Sequence, residues 1–238
     1  GPDLTLTLAS EVCPEIREYE RFTTASGNAY VKPLMARYLA DLQQRLAAAG
    51  LACPVLMMTS GGGLCTLETA ARLPIRLVES GPAGGAILAG AVAEEMGLGE
   101  ALSFDMGGTT AKICLLADYR PQMAREFEVD RSQRYLKGSG LPLRIPVIEM
   151  VEIGAGGGSI AWLDAMGRIR VGPESAGAEP GPAAYGRGGS EPTVTDADIV
   201  LGKVPIERFA GGKVKLAPER AEQALLDAVG QSLGADAV

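Results

Sequence analysis

Histidine is absent from all 238 residues. That removes Ser-His-Asp triads, Cys-His nucleophiles, HExxH metalloprotease sites and His-bearing zinc sites from within this chain. Aromatic residues amount to only 5%, too few for a base-stacking platform. Basic residues are outnumbered, 22 Lys+Arg against 29 Asp+Glu, for a net charge of −7. An acidic chain lacks the clustered positive face that a nucleic-acid backbone requires, so no nucleic-acid partner is expected. Long hydrophobic runs are missing as well. The most apolar stretch, 81–92, falls short of the ~20 residues of a membrane span, so no membrane partner is expected. No charged segment followed by an apolar run opens the chain, and no signal peptide is expected. The four cysteines, Cys13, Cys53, Cys65 and Cys114, form no CxxC pair. That spacing argues against structural zinc and predicts reduced, mostly buried thiols in a cytoplasmic protein. The chain begins Gly1-Pro2-Asp3 without methionine and is expected to be a piece of a longer one.

What the chain has in excess is glycine, 32 residues or about 13%, where usage averages roughly 7%. With 47% hydrophobic and 21% charged residues, it reads as an ordinary globular protein of one large or two small domains. The pattern is α/β. Residues 3–27 read as extended or irregular. A helix is expected from Asn28, with Pro33 in its first turn, Leu34, Tyr38, Leu42 and Leu46 at one-turn spacing, and Gly50 as its stop. Short strands are expected at 54–58 and 75–78. A small-residue helix follows, with Gly97 at its C′ position. Strands at 102–105 and 109–116 flank Gly107-Gly108 as a hairpin. A polar excursion at 118–142 precedes a strand at 145–153. Residues 160–171 read as strand, turn at Met166-Gly167, and strand. Residues 172–192 form a Gly/Pro-rich loop. A helix at 218–229 is followed by Gly230 as a stop.

Several strands end in glycine clusters, and α/β proteins bind ligands beyond the carboxyl ends of strands. The strongest signal is Phe104-Asp105-Met106-Gly107-Gly108-Thr109-Thr110. Glycine admits a phosphate close to the backbone, and the N–H groups of a tight turn form an anion nest. The hydroxyls of Thr109 and Thr110 add donors, Lys112 balances phosphate charge, and Asp105 orients a hydrated Mg²⁺. The bland alternative is a plain hairpin turn. The cluster Ser80-Gly81-Pro82-Ala83-Gly84-Gly85 opens a helix, whose N-terminus attracts anions, or else packs closely on a sheet. Gly154-Ala155-Gly156-Gly157-Gly158-Ser159 fails the dinucleotide frame at Ser159 and is either a phosphate- or ribose-facing loop or a tight turn. No GxxxxGK[ST] P-loop is present. Ser60-Gly61-Gly62-Gly63 reads as a turn, and Asp196 and Asp198 as helix capping rather than a ligand site.

Together these segments resemble the hydantoinase A / 5-oxoprolinase family, which includes ATP-dependent acetone carboxylase subunits. The resemblance is carried by Pro14 to Arg21 with Asn28-Ala29-Tyr30, the 80–85 cluster, Phe104 to Lys112, Ile153 to Ala161, residues 172–177 and 181–189, and Thr193 to Asp198. It covers nearly the whole chain, read as one hydantoinase A-type domain over 1–238.

The resemblance implies an actin-like ATPase (ribonuclease-H-like) fold, a mixed sheet with flanking helices. Family members are much longer and carry a second Asp-x-Gly-Gly-Thr motif, so it implies a central fragment with about half a nucleotide site. It implies ATP and Mg²⁺, with Asp105 catalytic and touching Mg²⁺ through the nucleotide. It further implies nucleotide contacts from Gly107, Gly108, Thr109, Thr110, Lys112, Ser80, Gly81, Gly84, Gly85, Gly156, Gly157, Gly158 and Ser159. The implied reaction is ATP-driven ring opening of a cyclic amide (a hydantoin, N-methylhydantoin or 5-oxoproline) through phosphorylation of its carbonyl. The alternatives are an acetone-type carboxylase subunit and a non-catalytic actin-like binding module. A HyuB-type partner subunit or a homo-oligomer is implied as well. Two departures stand out. Glu149-Met150-Val151-Glu152 replaces the Asp-x-His-Thr of many relatives, and Thr110-Ala111-Lys112 replaces Ser-Thr-Asp, reversing a charge.

Overall fold

The computed structural model of the chain describes residues 5–132, 136 and 138–234. Gly1-Pro2-Asp3 and parts of the 118–142 excursion (133–135 and 137) lie outside the described residues. The chain divides into two compact units. One holds the residues up to Ser103 together with Cys114–Met150, the other Phe104–Ile113 together with the residues from Val151 on.

In the first unit a short helix, α1 (Ala9–Val12), precedes the 31-residue α2 (Glu18–Ala48). Here the sequence reading is corrected. Residues 18–27 are helical, and Pro33 lies inside the helix rather than in its first turn. The reason is a polar buried face that apolar periodicity does not register. Thr24 and Asn28 are fully buried. The Thr24 hydroxyl donates to the Glu20 carbonyl at 2.6 Å and accepts from the Arg144 N–H at 2.8 Å. Thr23 donates to the Pro142 carbonyl at 2.7 Å. Asn28 accepts from the Ile75 N–H at 3.3 Å and donates to the Arg72 carbonyl at 3.3 Å. The helix ends as expected, with Gly50 left-handed at φ 81°. Asn28→Ala is expected to cost about 2 kcal/mol, because it orphans buried backbone groups. That would lower the melting temperature by roughly 4–8 °C for a chain of this size, as read by calorimetry.

β1 (Leu56–Met58) and β2 (Leu64–Thr66) pair antiparallel, with Met57 opposite Cys65. Between them the Ser60-Gly61-Gly62-Gly63 cluster is a turn, as read from the sequence: Gly62 has φ 77° and donates to the Thr59 carbonyl at 2.9 Å. α3 (Leu67–Arg72) starts at Thr66, whose hydroxyl accepts from the Thr69 N–H. The expected strand at 75–78 is instead a 3-10 turn, Pro74–Leu77. Pro74 sets its first φ, and the Ile75 N–H goes to Asn28 instead of a ladder. α4 (Ser80–Glu95) buries Ala83, Ala86, Gly90 and Ala93. Small residues let it lie close to its neighbours: a Cβ on Gly90 would collide with the Tyr119 carbonyl. Gly97, at φ 68°, ends it as expected.

β3 (Glu100–Met106) and β4 (Ala111–Ala117) carry the chain through both units. β5 (Arg120–Pro121) pairs with β4. β6 (Met123–Ala124) pairs with β9 (Val147–Ile148), and β7 (Phe127–Val129) with β8 (Leu141–Leu143). The strand expected at 145–153 is therefore two, because β10 (Val151–Ile153) pairs with β4 instead. The Glu149 N–H between them donates to the Gln122 carbonyl at 2.8 Å. This unit has two cores. Val12, Leu73, Ile75, Leu143, Ile145 and Val147 form one, and Ala83, Ala86, Cys114, Leu116 and Ile148 the other.

In the second unit β11 (Ser159–Leu163) and β12 (Ile169–Ser175) form the expected hairpin, with Gly167 left-handed in its turn. Asp164 gathers the turn: it accepts from the Met166 and Arg168 N–H groups and from both arginine side chains, Arg168 and Arg170. Those bonds, the Arg168 N–H foremost, lower its carboxyl from 3.8 to about 2. A depressed carboxyl contributes stability above its unfolded value and loses it as pH falls. The turn is thus expected to hold to about pH 4 and to loosen on approach to pH 2. NMR titration of the Arg168 and Arg170 Nε–H signals checks this.

A 3-10 turn (Ala183–Tyr185) and α5 (Val194–Val200) follow, then α6 (Pro218–Leu225). Gly230 is not the stop expected. It is buried with helical backbone in a π turn, Leu226–Gly230, that leads into α7 (Gln231–Leu233), and Gly234, at φ 61°, ends the run. Ala184, Ile199 and Ala221 form the core of this unit.

All four cysteines are free thiols; Cys13 and Cys114 are buried, and burial pushes both thiols up. Among the described residues no helix is long and apolar enough to cross a membrane.

Candidate functional site

The site is built in the second unit, where β3 ends and β4 begins. Asp105 stands exposed one residue before the end of β3. The next residues reverse the chain in a tight turn, which the Gly107 N–H closes on the Thr110 carbonyl at 2.9 Å. Gly107, Gly108 and Thr109 are exposed, and Thr110 is half-buried.

β10 runs antiparallel to β4, with Ile153 opposite Ala111 and Glu152 opposite Lys112. That register carries the chain leaving β10 to the 107–110 turn. The Gly157 N–H donates to the Gly107 carbonyl at 2.8 Å, and the Gly158 N–H to the Gly108 carbonyl at 2.7 Å. The Gly156 N–H donates to the Ser159 hydroxyl at 2.9 Å. Gly156, Gly157, Gly158 and Ser159 are all buried. From behind, the Thr195 N–H donates to the Gly157 carbonyl and the Ala176 N–H to the Gly158 carbonyl, both at 2.8 Å.

The start of α5 is itself fixed by a buried carboxylate. Asp196 is fully buried. It accepts from the N–H groups of Ala183, Ala184 and Thr193 and from the Thr193 hydroxyl, at 2.8–3.2 Å. Thr193 and Asp196 form a reciprocal capping box, so the capping reading of Asp196 holds. Asp198 is held by Lys203 at 3.3 Å. Burial, and then the Asp196 charge, push the Tyr185 hydroxyl up.

The glycines fall into two physical classes. A Cβ on Gly156 would lie 2.6 Å from the Thr110 nitrogen and 2.7 Å from the Gly107 carbonyl oxygen. On Gly158 it would lie 2.9 Å from the Gly108 carbonyl oxygen. These positions must be glycine for the fold itself. Gly108 is different: a Cβ there meets nothing within 4 Å, and on Gly107 it makes only ordinary contact, 3.6 Å from the Thr110 carbonyl oxygen. Neither has a left-handed backbone. Bare backbone at 107 and 108 is open to approach from outside the chain, which suits a phosphate.

Of the residues singled out from the sequence, Asp105, Gly107, Gly108, Thr109 and Thr110 are thus brought beside Gly156, Gly157, Gly158 and Ser159. Ser80, Gly81, Gly84 and Gly85 lie in the first two turns of α4, in the other unit. Gly81 and Gly85 also have open space where a Cβ would stand, although glycine in a helix costs about 1 kcal/mol relative to alanine. Lys112 lies in β4, facing Glu152 in register. The two departures from the family pattern are therefore cross-strand partners of opposite charge, an arrangement that contributes roughly 0.2–1 kcal/mol. Thr195, within the Thr193 to Asp198 segment but given no role from the sequence, both buttresses Gly157 and presents its hydroxyl 2.8 Å from where a Gly157 Cβ would be.

Among the described residues no three of His, Cys, Asp and Glu cluster to hold a metal. The donor set here is one exposed carboxylate, Asp105, beside a phosphate-sized turn. That fits Mg²⁺ arriving with a nucleotide, since Mg²⁺ keeps several waters and takes one or two carboxylates plus phosphates.

A family model described as hydantoinase/oxoprolinase matches residues 21–237. An uncharacterized protein of Methanocaldococcus jannaschii is 42% identical over 94% of this chain and 34% of its own length. The caprolactamase subunit alpha of Pseudomonas jessenii is 36% identical over 98% of this chain and 32% of its own. Among solved structures, nucleotide-free acetone carboxylase, described as carrying out ATP-dependent acetone carboxylation, superposes with a TM-score of 0.74 at 26% identity. It covers 96% of this chain and 31% of that one. The chain spans about a third of the length of these relatives. The α/β fold is the actin-like ATPase fold, here with several small sheets whose strand pairs given above are antiparallel, and with flanking helices.

Proposed function

The chain belongs to the hydantoinase/oxoprolinase family, and on that premise we propose that it is part of an ATP-dependent enzyme that opens cyclic amides. The observation that carries this reading is the exposed 107–110 turn with Asp105 at its entrance, its glycines open to a ligand.

A cyclic amide such as a hydantoin, N-methylhydantoin or 5-oxoproline is a poor electrophile. Transfer of the terminal phosphoryl group of ATP to the amide carbonyl oxygen releases ADP and gives an imidate phosphate. Water adds to that carbon, and the ring C–N bond breaks with the nitrogen taking a proton and leaving as an amine. A second water hydrolyses the resulting acyl phosphate to carboxylate and phosphate. Such transfer is mostly positioning and electrostatics. Gly108, Thr109 and Thr110 hold phosphate through backbone N–H groups and hydroxyls, and Gly107, whose N–H closes the turn on the Thr110 carbonyl, keeps the backbone there bare for its approach. Asp105 orients the attacking group and the first hydration shell of the nucleotide's Mg²⁺, whose chemistry is to neutralise phosphate charge. The first turn of α4, with Ser80 and Gly81, offers N–H groups to an anion; Gly84 and Gly85 follow in its second turn. Lys112 is assigned to charge balance at the turn.

A partner subunit, of HyuB type or a second copy, belongs to this reading. It is supported by the subunit designation of the caprolactamase relative and by the exposure of Leu102, Phe104 and Met106 along β3. A cytoplasmic location is supported by four unpaired cysteines. The second reading is a carboxylase subunit, favoured by the superposition on acetone carboxylase.

The test is Mg-ATP calorimetry on the complete protein containing this chain, followed by ADP release with each cyclic amide. Saturable binding and amide-stimulated ADP release are expected. ADP release that needs bicarbonate and a ketone would transfer the assignment to the carboxylase. Absence of nucleotide binding would leave a non-catalytic module.

A further inference from the structure

The Gly156-Gly157-Gly158 run resembles a phosphate loop, yet its N–H groups already have acceptors inside the protein: the Ser159 hydroxyl, the Gly107 carbonyl and the Gly108 carbonyl. We infer that this run is a positioning shelf and not a ligand. It aims the N–H groups of Gly108 and Thr109 outward as the pair that grips phosphate. The inference rests on the nucleotide reading above and deepens it.

The argument is one of peptide geometry. In a trans peptide the C=O of one residue and the N–H of the next point in opposite directions. Among the described residues the cis bonds lie elsewhere, before Pro173 and Pro180. Because the Gly107 carbonyl faces the shelf, accepting from Gly157, the Gly108 N–H faces away from it. Because the Gly108 carbonyl faces the shelf, accepting from Gly158, the Thr109 N–H also faces away. Successive carbonyls of an extended strand alternate sides, whereas these two share one. Two successive N–H groups on the same side form a nest, which binds anions. They emerge where Gly108 and Thr109 are exposed and where no Cβ would crowd Gly108.

The shelf must be held rigid for this to work, and it is. Thr195 and Ala176 donate to the Gly157 and Gly158 carbonyls from behind. The shelf must also lie against the turn without side chains. A Cβ on Gly156 would meet only turn backbone, at 2.6–2.7 Å. On Gly157 it would meet the Thr195 hydroxyl at 2.8 Å, which can rotate away. The two positions therefore differ in a predictable order.

The experiment is amide hydrogen exchange on the complete protein, with and without saturating Mg-ATP, together with Mg-ATP affinities of Gly156→Ala and Gly157→Ala. Gly157 and Gly158 are expected to be protected before nucleotide is added. Gly108 and Thr109 are expected to exchange fast in the free protein and to slow on binding. Gly156→Ala is expected to weaken Mg-ATP about tenfold or more, the scale of overpacking a tight contact, and Gly157→Ala clearly less. Protection that arises at Gly157 and Gly158 only with nucleotide would overturn the shelf. So would a well-folded Gly156→Ala with wild-type affinity. Wild-type protein that binds no Mg-ATP would instead overturn the nucleotide reading, and the phosphate role of Gly108 and Thr109 with it.

Discussion

Asp105→Asn in the complete protein is expected to lower nucleotide-dependent kcat by on the order of a hundredfold or more while leaving the melting temperature unchanged. The side chain is exposed at the end of β3 and belongs to none of the buried clusters, so its shape matters little to the fold. The substitution keeps that shape and removes the charge. What is lost is the carboxylate proposed to orient hydrated Mg²⁺ and the attacking group beside the 107–110 turn, an effect that is electrostatic and concentrated in the transition state. Steady-state kinetics on ADP release, run beside calorimetry for Mg-ATP affinity and a thermal melt, separates the possibilities. Unchanged turnover would remove Asp105 from the mechanism. A lowered melting temperature would make it structural.

Asp196→Asn should behave in the opposite way, losing stability first. The carboxylate is fully buried and takes four donors: three backbone N–H groups, from Ala183, Ala184 and Thr193, and the Thr193 hydroxyl. An amide offers one acceptor oxygen and turns its NH₂ toward donors, so at least one N–H is left facing another donor. Hydrogen bonds to a buried charge contribute about 1.5–3 kcal/mol each, and an orphaned donor costs about 1–3 kcal/mol. A net loss of about 3 kcal/mol corresponds to roughly 6–12 °C in melting temperature. The same change should slacken α5, whose Thr195 N–H supports the Gly157 carbonyl, so Mg-ATP affinity is expected to fall along with stability. A melting temperature within 2 °C of wild type would show that the four donors find other acceptors.

The sequence was most informative where local rules decide the structure. Gly97, Gly167 and Gly50 end or turn elements with left-handed backbone where the pattern placed them. The Gly107-Gly108 break between β3 and β4 and the capping role of Asp196 were equally readable, whereas Asp198, read the same way, pairs with Lys203. It was least informative where a distant partner overrides local preference. The polar start of α2 is helical because Thr24 and Asn28 find buried acceptors and donors more than forty residues away. Ile75 leaves its expected strand for the same bond. The strand expected at 145–153 divides because its two ends pair with different partners, β6 and β4.

The candidate site divides in the same manner. Sequence alone determined the family, the α/β class and the chemistry on offer: no histidine, a carboxylate before a glycine turn, and hydroxyls after it. Those follow from residue type and spacing, which local chemistry reads directly. Only the tertiary structure decided which glycines serve the fold and which are open to a ligand. That choice depends on what lies where a Cβ would be, and at Gly156 it is the backbone of Thr110 and Gly107, some fifty residues earlier in the chain and brought there by the pairing of β10 with β4.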